Sequence, residues 1–200
     1  FCVTKKLKKS LMELILSIFI GIGLAAAVGF RIFIPFLVAS IAAYTGNLEL
    51  STYFTWIGTL PALILFSVAT VVEIFSYYIP WVDNFLDAIN HPLAIFAGIV
   101  LSGAVVTDFP PLIKWALALI AGGGIAGTIH AATGLIRLKS SALTGGAGNP
   151  VVSTAEAGSS VALSVIAIFI PAVAVIIVGI MIVYLSFMIK KKFFSPPAES

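Results

Sequence analysis

Four ionisable side chains stand within or at the start of apolar stretches: Arg31 in GFRIFIP, Glu73 in ATVVEIF, His130 in GTIHAATG, and Glu156 at the head of the last apolar run. An ionised group in hydrocarbon costs about 2.5–3.5 kcal/mol on insertion scales, so each needs a partner or a polar cavity. Arg31 and Glu73 have no opposite charge nearby in their own segments, which predicts that they pair. Such a pair either lines a polar path or locks two helices together, and Arg31 could instead snorkel to headgroups at a helix break. His130 reads as a hydrogen-bonded interior histidine or as a proton relay.

A second group is Asn149, Ser153 and Glu156. Ser153 and Glu156 have the S-x-x-E spacing of a capping box, and Asn149-Pro150 is an alternative helix start with asparagine as the cap. A helix N-terminus inside a membrane offers free N–H donors to an anion, whereas the side-chain oxygens of these residues could hold a cation. Asp83, Asp87 and His91 recur every four residues, which places them on one helix face. That face is either a solvated surface or an interfacial divalent-cation site.

Other chemistry has no support. Gly145, Gly146 and Gly148 lack the Lys-Ser/Thr of a phosphate loop, no HExxH is present, and no Ser/His/Asp order stands out, so neither an enzyme nor a cofactor is expected. The single cysteine, Cys2, provides no disulfide framework and no thiolate metal cluster.

The elements that position these residues follow from composition. Of 200 residues, 60% are hydrophobic and 10% charged, too few charges to coat a water-soluble surface. The chain therefore reads as an all-α, polytopic helical membrane protein with the lipid bilayer as its surroundings. Lys5, Lys6, Lys8, Lys9, Lys190, Lys191 and Lys192 hold seven of the eleven bases at the two ends. This pattern suits contact with anionic lipid and not nucleic acid. The lysine-rich start followed by an apolar run reads as a first span and not as a cleaved signal.

Apolar stretches of crossing length fall at Ser10–Tyr44, Trp56–Tyr78, Pro92–Val106, Leu112–Leu138 and Gly158–Ile189, giving five to six transmembrane or re-entrant segments. The first is broken near Arg31 and Pro35, and Pro171 kinks the last. Pro80–His91 reads as a short helix at the membrane surface. Ser140–Ala157 reads as a loop or as irregular backbone around a polar cavity. Two lysine-rich ends on the cytoplasmic side require an even number of crossings, which five spans do not supply. The N-terminus is expected inside.

Self-comparison aligns Gly46-Asn47…Ser51-Thr52 with Gly148-Asn149…Ser153-Thr154 at an offset of 102 residues. Flanking blocks, GIGLA at 21–25 with GGGIA at 122–126 and Ala62-Leu63 with Ala162-Leu163, keep the same order. This predicts a single membrane domain over 1–200 made of two related halves, 10–91 and 112–189, joined by 92–111. If the third segment crosses, the halves form an inverted repeat, an architecture that puts a transport site where they meet.

AAAVGFRIFIPFL, WIGTLPALILFSVATVVEIFSYYIPWVDNFLD and GAGNPVVSTAEA resemble a bacterial family of small multi-spanning proteins catalogued as domain of unknown function 4126. The resemblance runs from about Ile15 to Ile180 and implies a membrane-spanning fold without an activity. It places Arg31, Pro35, Glu73, Pro80, Asp83 and Asp87 at motif positions.

The resulting expectation is a multi-pass protein of the bacterial inner membrane that moves an ion or small polar solute through a site between the halves. Arg31, Glu73, His130, Asn149, Ser153 and Glu156 would line that path. The competing expectation is an accessory subunit that packs against a larger membrane complex, or a homo-oligomer, through faces rich in Gly21, Gly23, Gly122, Gly124 and Gly127.

Overall fold

A computed structural model describes residues 2–107 and 109–194, with side chains described except for residues 2–10, 80–81, 83–84, 87–88 and 188–194. The described chain is all-helical and multi-pass in composition. Its helices are α1 (Cys2–Phe30), α2 (Phe33–Tyr44), α3 (Leu60–Ser76), α4 (Pro80–Val105), α5 (Pro111–Leu117), α6 (Gly124–Thr144), α7 (Asn149–Phe169) and α8 (Pro171–Phe194). A 3₁₀ turn, Thr52–Gly58, precedes α3, and a π-helical stretch, Ala118–Gly123, joins α5 to α6.

α1 is the axis of the bundle. Leu24 to Val28 have no exposed surface, because α4, α6, α7 and α8 all pack on this helix. Close approach needs small residues: a Cβ placed on Gly29 would lie 2.6 Å from the Cβ of Ile129 on α6. The outward faces are apolar. Ile64, Leu65, Val68, Val71, Val72 and Phe75 of α3 are all more than half exposed, a surface that only lipid or another apolar partner covers favourably. The chain is a membrane protein.

Among the described residues three helical stretches are long and apolar enough to cross a bilayer, Leu11–Phe30, Pro111–Thr144 and Asn149–Phe169. The 3₁₀ turn and α3, bent by 66°, together make a possible fourth, and Phe33–Tyr44, Ile89–Val105 and Pro171–Phe187 are shorter apolar helices.

Several boundaries differ from the expected ones. The break at Arg31 forms as read, with α1 ending at Phe30 and α2 opening with Pro35 in its first turn. The surface helix over Pro80–His91 and the third segment are instead one helix, α4, with Pro92 inside it. Ser140–Ala157 is not a loop. α6 runs to Thr144, where Gly145 adopts a left-handed φ of 62°, and α7 resumes at Asn149. Only residues 145–148 form the connection, a four-residue turn between the two helices. Pro171 divides the fifth segment fully: Ile170 leaves helical geometry with φ −138° and ψ 64°. The two Gly-Asn blocks also differ locally, the first closing a turn after α2 and the second opening α7.

Candidate functional site

The polar residues of α7 recur with helical spacing. Asn149, Ser153, Glu156, Ser160 and Ser164 are each at most 4% exposed and form one buried stripe. Ser160 donates to the carbonyl of Ala27 on α1 at 2.9 Å, which ties the stripe to the axial helix. On α6, His130, Thr133 and Arg137 are buried with the same three- and four-residue intervals.

Arg31, at the α1–α2 break, reaches the top of that stripe. Its Nη2 donates to the carbonyl oxygen of Ser153 at 3.2 Å and to the Ser153 hydroxyl, and it lies 3.4 Å from the Glu156 carboxylate. Arg137 also pairs with Glu156, through Nε at 3.1 Å to Oε1 and through Nη2 to Oε2. Both guanidinium carbons lie over the ring of Tyr77, at 3.7 Å for Arg31 and 4.0 Å for Arg137. The aromatic face attracts both cations where water is excluded. The Tyr77 hydroxyl accepts from Asn90 Nδ2 at 2.7 Å, which brings α4 into the cluster.

Glu73 does not pair with Arg31 as expected. Its carboxylate accepts the backbone amides of Ile32 at 2.9 Å and Phe33 at 3.1 Å, so it caps α2 from another helix. The N-terminal amides of a helix need acceptors, and neither Ile32 nor its neighbours provide a side chain that can reach them. Glu73 therefore stands beside Arg31 while serving a different element. The capping-box reading of Ser153 and Glu156 also fails: both lie inside α7 and face the guanidinium groups, while Gly148 holds the N-cap position. Asn149 exchanges hydrogen bonds with Ser141 on α6, Nδ2 to Oγ at 2.9 Å, and closes the α6–α7 pair.

His130 lies two turns from Arg137 on the same face of α6. Its Nδ1 is 3.3 Å from the carbonyl of Gly29, and its ring centroid is 5.7 Å from that of His91. The side chains of Asp83 and Asp87 lie outside the described residues, so of the interfacial triad only His91 is placed. Among the described residues no cluster of three or more His, Cys, Asp or Glu could hold a metal ion.

Sequence reasoning missed Arg137, Tyr77 and Asn90. Arg137 had a signal, its seven-residue separation from His130, which is two helical turns. Tyr77 and Asn90 had none.

A cleft of about 330 Å³ opens beside the cluster between α3 and α4, its wall formed by Glu73, Ser76 and Asn90 among Leu65, Val68 and Val72. Three buried side-chain atoms in the described structure have no hydrogen-bond partner: Nε and Nη1 of Arg31 and Oγ1 of Thr70, which precedes Glu73 by one turn of α3. The site thus offers hydrogen-bond donors, while the Glu156 and Glu73 carboxylates already hold partners.

No curated protein and no solved structure matches the chain. A family profile does match, over residues 18–191, and this range holds every residue of the cluster. The chain belongs to the family described as domain of unknown function (DUF4126).

Proposed function

We propose that this protein is a small membrane transporter or channel-like protein that moves a polar solute through the Arg31 cluster. The observation that supports it is Arg31 itself, 2% exposed yet with Nε and Nη1 unpaired. A purely structural ion pair gains most when every donor is satisfied, and a buried donor without an acceptor costs free energy. A binding site tolerates that cost in the empty state and recovers it with the ligand.

The location supports the same reading. Arg31, Tyr77 and Asn90 come from residues 10–91, whereas Arg137, Ser153 and Glu156 come from 112–189, so the cluster sits where the two proposed halves meet. Arg31 then binds, Glu156 holds it in place while also pairing with Arg137, and Ser153 and Asn149 set the α7 face. The bacterial inner membrane is the proposed location, with the N-terminus toward the cytoplasm.

The accessory-subunit reading rested on glycine faces free to dock. Gly23, Gly122 and Gly127 each have atoms of this chain under 3.0 Å from where a Cβ would go, a Cβ on Gly21 would be in van der Waals contact with Val105, and Gly124 alone of the five faces open space. Transport is therefore the preferred reading. The test is flux into proteoliposomes for a panel of inorganic ions and small organic acids, comparing the native chain with Arg31→Gln. Solute movement that depends on Arg31 supports transport. No movement of any solute, together with a stable heteromeric partner in mild detergent, would overturn it in favour of the accessory role.

A further inference from the structure

We infer that the ligand of this site is a small oxyanion, held through Nε and Nη1 of Arg31, and this rests on reading the cluster as a binding site. The chemistry follows from what is left over. Each unpartnered buried side-chain atom in the described structure, the two guanidinium nitrogens and the Thr70 hydroxyl, can donate a hydrogen bond. A guanidinium has no acceptor and keeps its charge at every physiological pH. Among the described side chains a cation has no comparable opening, because Oε1 and Oε2 of Glu156 are engaged by arginine and those of Glu73 by the Ile32 and Phe33 amides.

The position of the free nitrogens agrees with a ligand held by Arg31. Arg31 is anchored by Nη2 on Ser153 and Glu156 and stacked on Tyr77, so its remaining nitrogens are held without being used. The 330 Å³ cleft runs beside the cluster: Asn90, whose amide holds the Tyr77 hydroxyl, and Glu73, which caps the turn after Arg31, line it, whereas Arg31 and Thr70 lie behind that wall. Oxygens of a carboxylate or phosphate group suit charge-assisted hydrogen bonds to arginine. Two sources share that chemistry: a dissolved anion and the phosphate of a lipid headgroup.

The experiment uses the full chain in nonionic detergent and measures binding by calorimetry and by thermal stability. The probes are sodium acetate, sodium phosphate and a short-chain phosphatidate, each against sodium chloride at matched ionic strength. Stabilisation by acetate or phosphate beyond chloride, with affinity about tenfold weaker in Arg31→Lys, is the expected result, because lysine keeps the charge and loses the planar donors. A response to phosphatidate alone supports the oxyanion assignment and names lipid as the source. No response beyond chloride in the native chain, or equal affinity in native and Arg31→Lys protein, overturns it. Arg31→Lys needs to fold only for the comparison, since the native chain against chloride is itself decisive. Anion binding without flux in proteoliposomes would defeat transport and leave this assignment standing, whereas Arg31-dependent flux restricted to cations would do the reverse.

Discussion

At the residue scale the cluster depends on Glu156 more than on either arginine. Its carboxylate meets both guanidinium groups, and all three side chains are at most 5% exposed. Glu156→Gln leaves two buried cations without their shared anion, whereas Arg137→Gln leaves Arg31 on Glu156. Removing one partner of a buried pair typically costs about 3–5 kcal/mol. Glu156→Gln is expected to fall in that range, and Arg137→Gln to cost less, read from thermal or denaturant unfolding in detergent. Equal losses would mean that Arg31 takes no support from Glu156. Arg31, Ser153 and Glu156 were legible in the sequence, because an ionisable group in an apolar run must find a partner. Which partner was not legible. Glu73 satisfies amides and Glu156 satisfies arginines, a choice set by tertiary packing between distant parts of the chain: Glu73 with Ile32 across 41 positions and Glu156 with Arg31.

At the element scale, helix ends and helix contacts decide stability. α2 begins at a break with no cap of its own, and the Glu73 carboxylate accepts two of its first amides. Glu73→Ala should cost about 0.5–2 kcal/mol, the range for losing an N-cap, and Glu73→Gln less, since one side-chain acceptor remains. Unfolding midpoints of the two variants check the order. A second pair of substitutions separates contact from propensity. Gly29→Ala forces a Cβ against Ile129 and should destabilise by about 1–3 kcal/mol. Gly134→Ala, on the same bundle with nothing within 4 Å, should be neutral or gain about 0.5–1 kcal/mol. The helices were legible as apolar stretches, but their boundaries were less so. Pro92 sits inside α4 although a proline invites a boundary, and Pro171 does break the chain. The residue type alone does not separate those outcomes, because the packing around each helix determines whether a lost hydrogen bond is tolerated.

At the scale of the whole molecule, the length of α1 sets an expected depth for the cluster. The apolar part of α1, Leu11–Phe30, is 20 residues long, which at about 1.5 Å per residue is roughly the full 30 Å of a hydrocarbon core. Arg31 follows immediately, so if Leu11–Phe30 crosses the bilayer, Arg31 stands near the boundary opposite the N-terminal lysines, not at the midplane where a site between inverted halves is expected. The apolar length of a helix was plain in the sequence, yet the depth of the site needed the structure, because only the tertiary contacts show Tyr77, Arg137 and Glu156 gathered at that end. On the proposed transport reading the consequence is directional access: a solute would meet the cleft beside the Arg31 cluster from the side away from the N-terminal lysines. Cys2 is the native thiol on the lysine side and the chain's single cysteine; Ser76→Cys adds a second in the cleft wall. A membrane-impermeant thiol reagent applied to sealed vesicles of each orientation should label these two positions from opposite faces. Labelling of both from the same face would mean that α1 does not cross, and the depth argument with its one-sided entrance would fall together.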